Sequence, residues 1–317
     1  MISFRFHIVS IVAVFLALAI GIVVGSTVID RAIVEGLRNR VDDVSDNLDE
    51  RQAANDALQT EVDQLEGFVN DAAAITVDDR LSDTVAVVVT DEGVDRDPVD
   101  RTIELLGQAG STVRGVLTVD SSWALEDPEQ QAALAEVVDL DAGSSVEELQ
   151  ARAASLLVTD LSSSVEVVDD GTGALDQISE VGLVGYESLA DVVAPRPRRV
   201  LFVVVSGPAN TLGSSAHTEP FATAAAESAG AVVVAEVWRE AENGPERADS
   251  LATILGSPTL RSEISTVDDL DLAPGPTTVL LALVAAQAGE VGHYGVAVEA
   301  DSYAPAPPGP TTTTTVP

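Results

Sequence analysis

Residues Thr84–Thr90 read TVAVVVT. A strand with one wet face alternates apolar and polar residues, whereas an unbroken β-branched run of this length belongs to a strand buried on both faces. A parallel sheet covered by helices on each side is the architecture that buries strands in this way, so the run sets the expected class as α/β. Asp97 and Pro98 follow and suit the N-cap and first position of a helix over Val99–Ala109, which Gly110 ends. Thr112–Val119 supplies the next strand and completes a βαβ unit.

The same order returns downstream. Arg199–Val205 reads RVLFVVV, a loop SGPANTLGSSA follows, a helix runs from about Glu219 to Gly230, and Ala231–Val237 is again a valine-rich strand. Both units end their helix with Ala-Gly and place a tryptophan soon after the second strand, Trp123 or Trp238. The recurrence allows an internal duplication, although βαβ units resemble one another without common descent. Between the units Pro128–Val138 and Val146–Leu161 read as helices and Leu183–Ser188 as a short strand, with APRPRR at Ala194–Arg199 as the linker. A helix over Thr277–Ala288 is apolar nearly all round and must be buried, being too short to span a bilayer. The expected body is Rossmann-like, with one α/β half over residues 84–193 and a second over 194–300. A Pro/Thr tail over 301–317 is expected to be disordered.

Towards the N-terminus the period changes from strand to heptad. Val34, Val41, Leu48, Val62 and Val69 share one heptad position, and Leu37, Val44, Leu58 and Leu65 share the other. That is the a/d seam of a coiled coil over residues 30–75. Asn55 at an a position and valine at a with leucine at d favour a parallel homodimer, while Arg51 interrupts the d row. The competing reading is one amphipathic helix packed on its own domain. Ahead of the seam, Ile8–Ile29 carries no charge until its flank at Asp30 and is long enough to cross a membrane. Residues 1–29 therefore read as an uncleaved signal-anchor, although Gly25 and Ser26 would also suit a cleavage site. The short flank containing Arg5 is expected in the cytoplasm and the long acidic remainder on the other side, making a single-pass membrane protein with an extracytoplasmic body.

The 317 residues carry 16 basic and 52 acidic side chains, a formal charge of -36. Such a surface repels nucleic acid and anionic lipid. Cysteine is absent and the lone methionine is Met1, so disulfides, thiolate metal sites and cysteine nucleophiles are excluded. No nucleophile, base or cofactor motif declares an enzyme, so neither catalysis nor a cofactor is expected. Gly171 and Gly173 begin a G-x-G, but Asp176 stands where the third glycine would be, so a turn is the better reading. Open α/β sheets place their sites beyond the carboxyl ends of the strands. Asp91 and Asp95 after the first strand could hold a hard cation or form a solvated loop. Ser206 and Asn210 hold the matching place after Arg199–Val205 and could bind a small ligand at a helix N-terminus.

The opening run MISFRFHIVSIVAVFLALAIGIVVGS resembles the start of the actinobacterial copper transport outer-membrane protein family, and TVAVVVT, RVLFVVVSG and VGHYG extend the resemblance over most of the chain. It implies a cell-envelope protein of copper efflux or tolerance, with copper ions or an envelope protein as partners. No copper ligand can be carried over to a numbered position, and a channel would need several spans or alternating strands that this body lacks. The alternative is an anchored dimeric scaffold or ligand-sensing α/β domain.

Overall fold

The computed structural model describes residues 4–141, 143–163, 173–189, 199–207, 216–228, 230–237, 239–241, 244–246 and 249–306. Asn210, Trp238, Gly171 and most of the APRPRR linker lie outside them. Two compact units divide the chain at Leu65/Glu66.

The first unit is helical. Helix α1 runs without a break over Phe4–Val77 and its last turns belong to the second unit. Its stretch Phe4–Gly25, with mean hydropathy 3.0, is long and apolar enough to cross a membrane. The expected span over residues 8–29 overlaps this stretch. Further along, the heptad residues Leu37, Val41, Val44, Leu48, Leu58, Val62 and Leu65 are all exposed, at 43 to 62%.

The second unit is a seven-stranded sheet in the order β3-β2-β1-β4-β5-β8-β9. Its strands are β1 (Thr84–Asp91), β2 (Thr112–Val119), β3 (Val184–Ser188), β4 (Arg199–Ser206), β5 (Ala231–Glu236), β8 (Ser265–Val267) and β9 (His293–Tyr294); β6 (Arg239–Ala241) and β7 (Gly244–Glu246) pair separately. All neighbours in the large sheet are parallel except β2 and β3. The two βαβ units meet at the β1–β4 pair, where Thr84–Thr90 lies in register with Arg199–Val205, and so form adjoining parts of one sheet.

Strand alternation sorts the core into two layers. Val87, Val89, Phe202, Val204, Val232 and Val234 face a cluster with α3 (Pro128–Val137), α4 (Val146–Ser162), α5 (Ala174–Glu180), α6 (Thr218–Ser228) and α7 (Asp249–Gly256). Ala86, Val88, Leu201, Val203, Val205 and Val233 face the other, with the end of α1, α2 (Arg96–Gln108) and α9 (Gly275–Gln287). Trp123 stacks at 5.4 Å on Phe221 and donates its indole N–H to the Ala216 carbonyl, pinning the start of α6 to the first layer.

Local chemistry explains the helix starts. Ser145 and Glu148 make a reciprocal capping box at α4, and Asp127 caps α3 ahead of Pro128. At α2 the cap is Asp95, which accepts from the Asp97 amide at 3.1 Å, and not Asp97 as expected. Pro98 then sits inside the first turn, where its missing N–H has no helical partner to lose. Gly173 stands at the N-cap of α5, a helix of seven residues.

Crossover hand completes the picture. β1 reaches β2 through α2 on one face, whereas β4 reaches β5 through α6 on the opposite face and in the opposite direction along the sheet. Both hands are therefore the same, and the chain switches direction between β1 and β4. β9 is added on the same side as β5 and β8, yet α9 lies on the α2 face, so this last crossover has the rarer opposite hand.

Candidate functional site

Three strands end in polar residues on one face. Asp91 follows Val87 and Val89 by strand alternation, Ser206 follows Phe202 and Val204, and Glu236 follows Val232 and Val234, so all three lie on the α6 side of the sheet. Ser206 is the register partner of Glu236, and Asp91 comes one residue after the Thr90–Val205 pair. Adjacent strands lie about 4.8 Å apart, so Asp91, Ser206 and Glu236 form a row across neighbouring strand ends. Each is buried, at 3, 0 and 0% exposure.

The loop after β8 extends the row. Leu270 donates its N–H to the Glu236 carbonyl at 3.0 Å, so the chain turns back over the end of β5 on its way to α9. That return makes Asp269 a neighbour of Glu236 in space. Gly275 closes the loop where a side chain would collide with the Asp269 carbonyl, which only glycine avoids. Asp268 has a different job: its carboxylate accepts from the Val296 and Ala297 amides at 2.8 to 3.2 Å and leaves no room for a β-carbon at Gly295.

Electrostatics single out two of these groups. Among the described residues neither Asp91 nor Asp269 meets a donor from another residue, and each carboxyl has only its own backbone N–H. Burial raises the Asp91 carboxyl to about 7. Burial, then Asp268, then Asp271 raise the Asp269 carboxyl to about 7 as well. His217, buried ahead of α6, is pushed down to about 4 by burial, partly offset by the Val205 carbonyl at the end of β4. Asp120, past the end of β2, is held below the usual carboxylate range chiefly by the Ser122 amide. The sheet's carboxyl edge is thus acidic along its length and buried at its centre.

The expected site residues separate accordingly. Asp91 and Ser206, chosen from two different strands, stand side by side at the direction switch. Asp95 is occupied as the cap of α2. Asn210 lies outside the described residues. Glu236 and Asp269 were not foreseen, although Glu236 ends its valine run VVVAE as Asp91 ends VAVVVTD. A cavity of about 210 Å³ lies elsewhere, between the end of α1 and α9, lined by Thr76, Arg80, Leu281, Val284, Ala285 and Glu290 among others. Among the described residues no three His, Cys, Asp or Glu converge closely enough to hold a metal ion.

Comparison with known proteins bears on the whole chain at once. Residues 1–305 match the family described as copper transport outer membrane protein, MctB. The chain belongs to that family. Relatives in Mycobacterium tuberculosis (strain ATCC 25618 / H37Rv) and Mycobacterium bovis, each named copper transporter MctB, are 28% identical over 316 residues, covering 93% of this chain and 96% of theirs. The Mycobacterium leprae protein of the same name is 25% identical over 323 residues, with the same coverage. Membership spans both the apolar helix and the α/β body, so this MctB-family chain aligns with its relatives over both.

Proposed function

We propose that this MctB-family protein is a membrane-anchored component of copper export or tolerance whose body stands outside the cytoplasm and works on a partner, not as a pore. The observation that carries the reading is the pairing of family membership over residues 1–305 with one span-length apolar helix, Phe4–Gly25. An open sheet covered by helices on both faces has no lipid-facing wall, whereas a membrane barrel closes its edges and turns an apolar face outward. Cu(I) prefers thiolate and thioether donors, and this chain has no cysteine and one methionine, Met1. The support is therefore for a role beside the metal's path. The protein is not an enzyme in this reading. Removing the gene tests it: cellular copper is expected to rise and copper tolerance to fall, and unchanged values for both would remove the copper assignment.

A second feature favours an anchored dimer within the same framework. The exposed a/d row from Leu37 to Leu65 is what a parallel coiled coil would cover, and Asn55 at an a position would fix its register. Asn55→Cys in the full chain in membranes is expected to crosslink to a dimer on mild oxidation, while Ala53→Cys on the outer face is not. Equal yields from both would overturn the seam.

A further inference from the structure

Heptad lettering carried past Val69, the last a position of the seam, makes Ala72 d, Ala73 e and Thr76 a, and puts Phe68 and Ile75 at successive g positions. Helix α1 keeps this frame without a break to Val77. At the end of α1 the two flanks of the helix are used differently. Ala73 on the e flank is buried on the body at 3% exposure, whereas Phe68 and Ile75 on the g flank are 70 and 83% exposed. Large apolar side chains one heptad apart share a helix face, and left to solvent beside a closed core they mark a contact surface.

The complementary surface lies on the e flank. Thr76 and Arg80, which takes the next e place in the count, border the cavity of about 210 Å³, and Leu281, Val284, Ala285 and Ala288 from α9 and its C-cap give it an apolar wall. Thr76, Arg80 and Ala288 are exposed, so the cavity opens to solvent on this side. In a parallel coiled coil the g flank of one helix lies against the e flank of the other. The e place that follows Phe68 is Ala73, and the one that follows Ile75 is Arg80. The heptad register therefore brings the exposed pair of one copy to the body, and to the cavity, of the other.

We propose that the Phe68/Ile75 face docks on the body of a second copy of this chain, with Ile75 covering the cavity between α1 and α9 of that copy and Phe68 lying beside its Ala73. The docking rests on the anchored-dimer reading and adds to it a contact between helix and body that the seam alone does not make. It is isologous, since each copy offers the same face and the same cavity. An apolar contact also suits a chain of formal charge -36, whose copies would repel through an acidic one.

The chain has no cysteine, so introduced cysteines report without background. Two differently tagged full chains are co-expressed in membranes, one carrying Ile75→Cys and the other Ala288→Cys, and treated with a short bis-maleimide. The mixed crosslinked pair is expected in several-fold greater yield than from Asp71→Cys with Ala288→Cys, because Asp71 lies on the far side of the helix. Ile75→Asp is expected to weaken self-association of the full chain in detergent about tenfold, since each copy loses one covered aliphatic side chain, while the body still unfolds at its own midpoint as after a surface substitution. Asn55→Cys is followed in the same membranes. A disulfide at Asn55 without the Ile75–Ala288 pair would keep the coiled coil and overturn the docking, and loss of both would overturn the docking together with the dimer. Ala288→Cys that stays shielded from a monofunctional maleimide when every copy carries Ile75→Asp would give the cavity another occupant, and would overturn the docking as well.

Discussion

Two regions of this chain are equally rich in valine and leucine and treat them in opposite ways. In the body, every residue of β1 and β5 is buried, and the cores on both faces are closed by helices of the same chain. Along α1, Leu48, Leu58 and Leu65 are about 60% exposed, although their spacing is as regular as that of any strand. Burying an aliphatic side chain is worth about 1.5–3 kcal/mol. The body has collected that gain internally, while the heptad row of α1 remains exposed. A period-2 or continuous pattern can be satisfied by neighbours a few tens of residues away. A heptad row on a long helix is the pattern that a second long helix covers in a coiled coil.

The largest expected effect breaks the body at its buried acids. Asp91 has a folded value of about 7 against 3.8 for the free side chain. The folded state therefore holds a proton that the unfolded state has lost between those values. Stability is fully present below pH 3.8, falls as pH rises towards 7 and is level above. About three units correspond to about 4 kcal/mol for this one group. His217 works the other way, losing stability as pH falls from 6.5 towards 4. Denaturant unfolding in EDTA, for wild type and Asp91→Asn, isolates the carboxyl: the variant's advantage should grow by up to about 4 kcal/mol between pH 4 and pH 8. A constant difference across that range would mean that Asp91 is not desolvated in solution.

Next in size is a cavity in the same sheet. Phe202 is fully buried at the centre of β4, and Phe202→Ala should cost about 3–5 kcal/mol by the same unfolding measurement. The helicity of residues 4–65 should survive it, because that unit makes its own backbone hydrogen bonds; loss of both together would show that the two regions are energetically one.

Much of this contrast was legible before any coordinates. The β-branched runs named β1, β2, β4 and β5 because burial on both faces removes alternation, and the heptad spacing named the helix that carries it. What could not be read was neighbourhood. Asp91 and Ser206 stand 115 positions apart, and only the switch of direction between their strands brings them together. Asp269 depended on a loop that doubles back over β5 into a crossover of the rarer hand, against the usual rule. The cap of α2 was missed for a local reason: Asp95 and Asp97 are equally good N-caps, and Pro98 tolerates any place in a first turn.

The smallest expected effect sharpens the comparison where the two regions meet. The seam's last a position is Val69, and continuing the heptad would use Ala72 and Thr76. Instead Val69 is half-buried, Ala73 and Val77 are buried on the body, and Thr76 is exposed. The buried stripe follows a strict four-residue step in place of the 3–4 alternation of the heptad row, so the end of α1 joins the core on the α2 face of the sheet. Leu58→Ala lies above that handover. It should leave the body's unfolding midpoint unchanged within about 0.5 kcal/mol, as a surface substitution does. It should still weaken self-association of the full chain, measured by sedimentation in detergent, because a d-position leucine is lost from both copies. Ala73→Asp, one turn past Val69, reverses the pattern by destabilising the body and sparing the seam. If Leu58→Ala instead lowered the body's midpoint as Ala73→Asp does, the row from Leu37 to Leu65 would have to be covered by the body in solution, and the difference between the two regions would vanish.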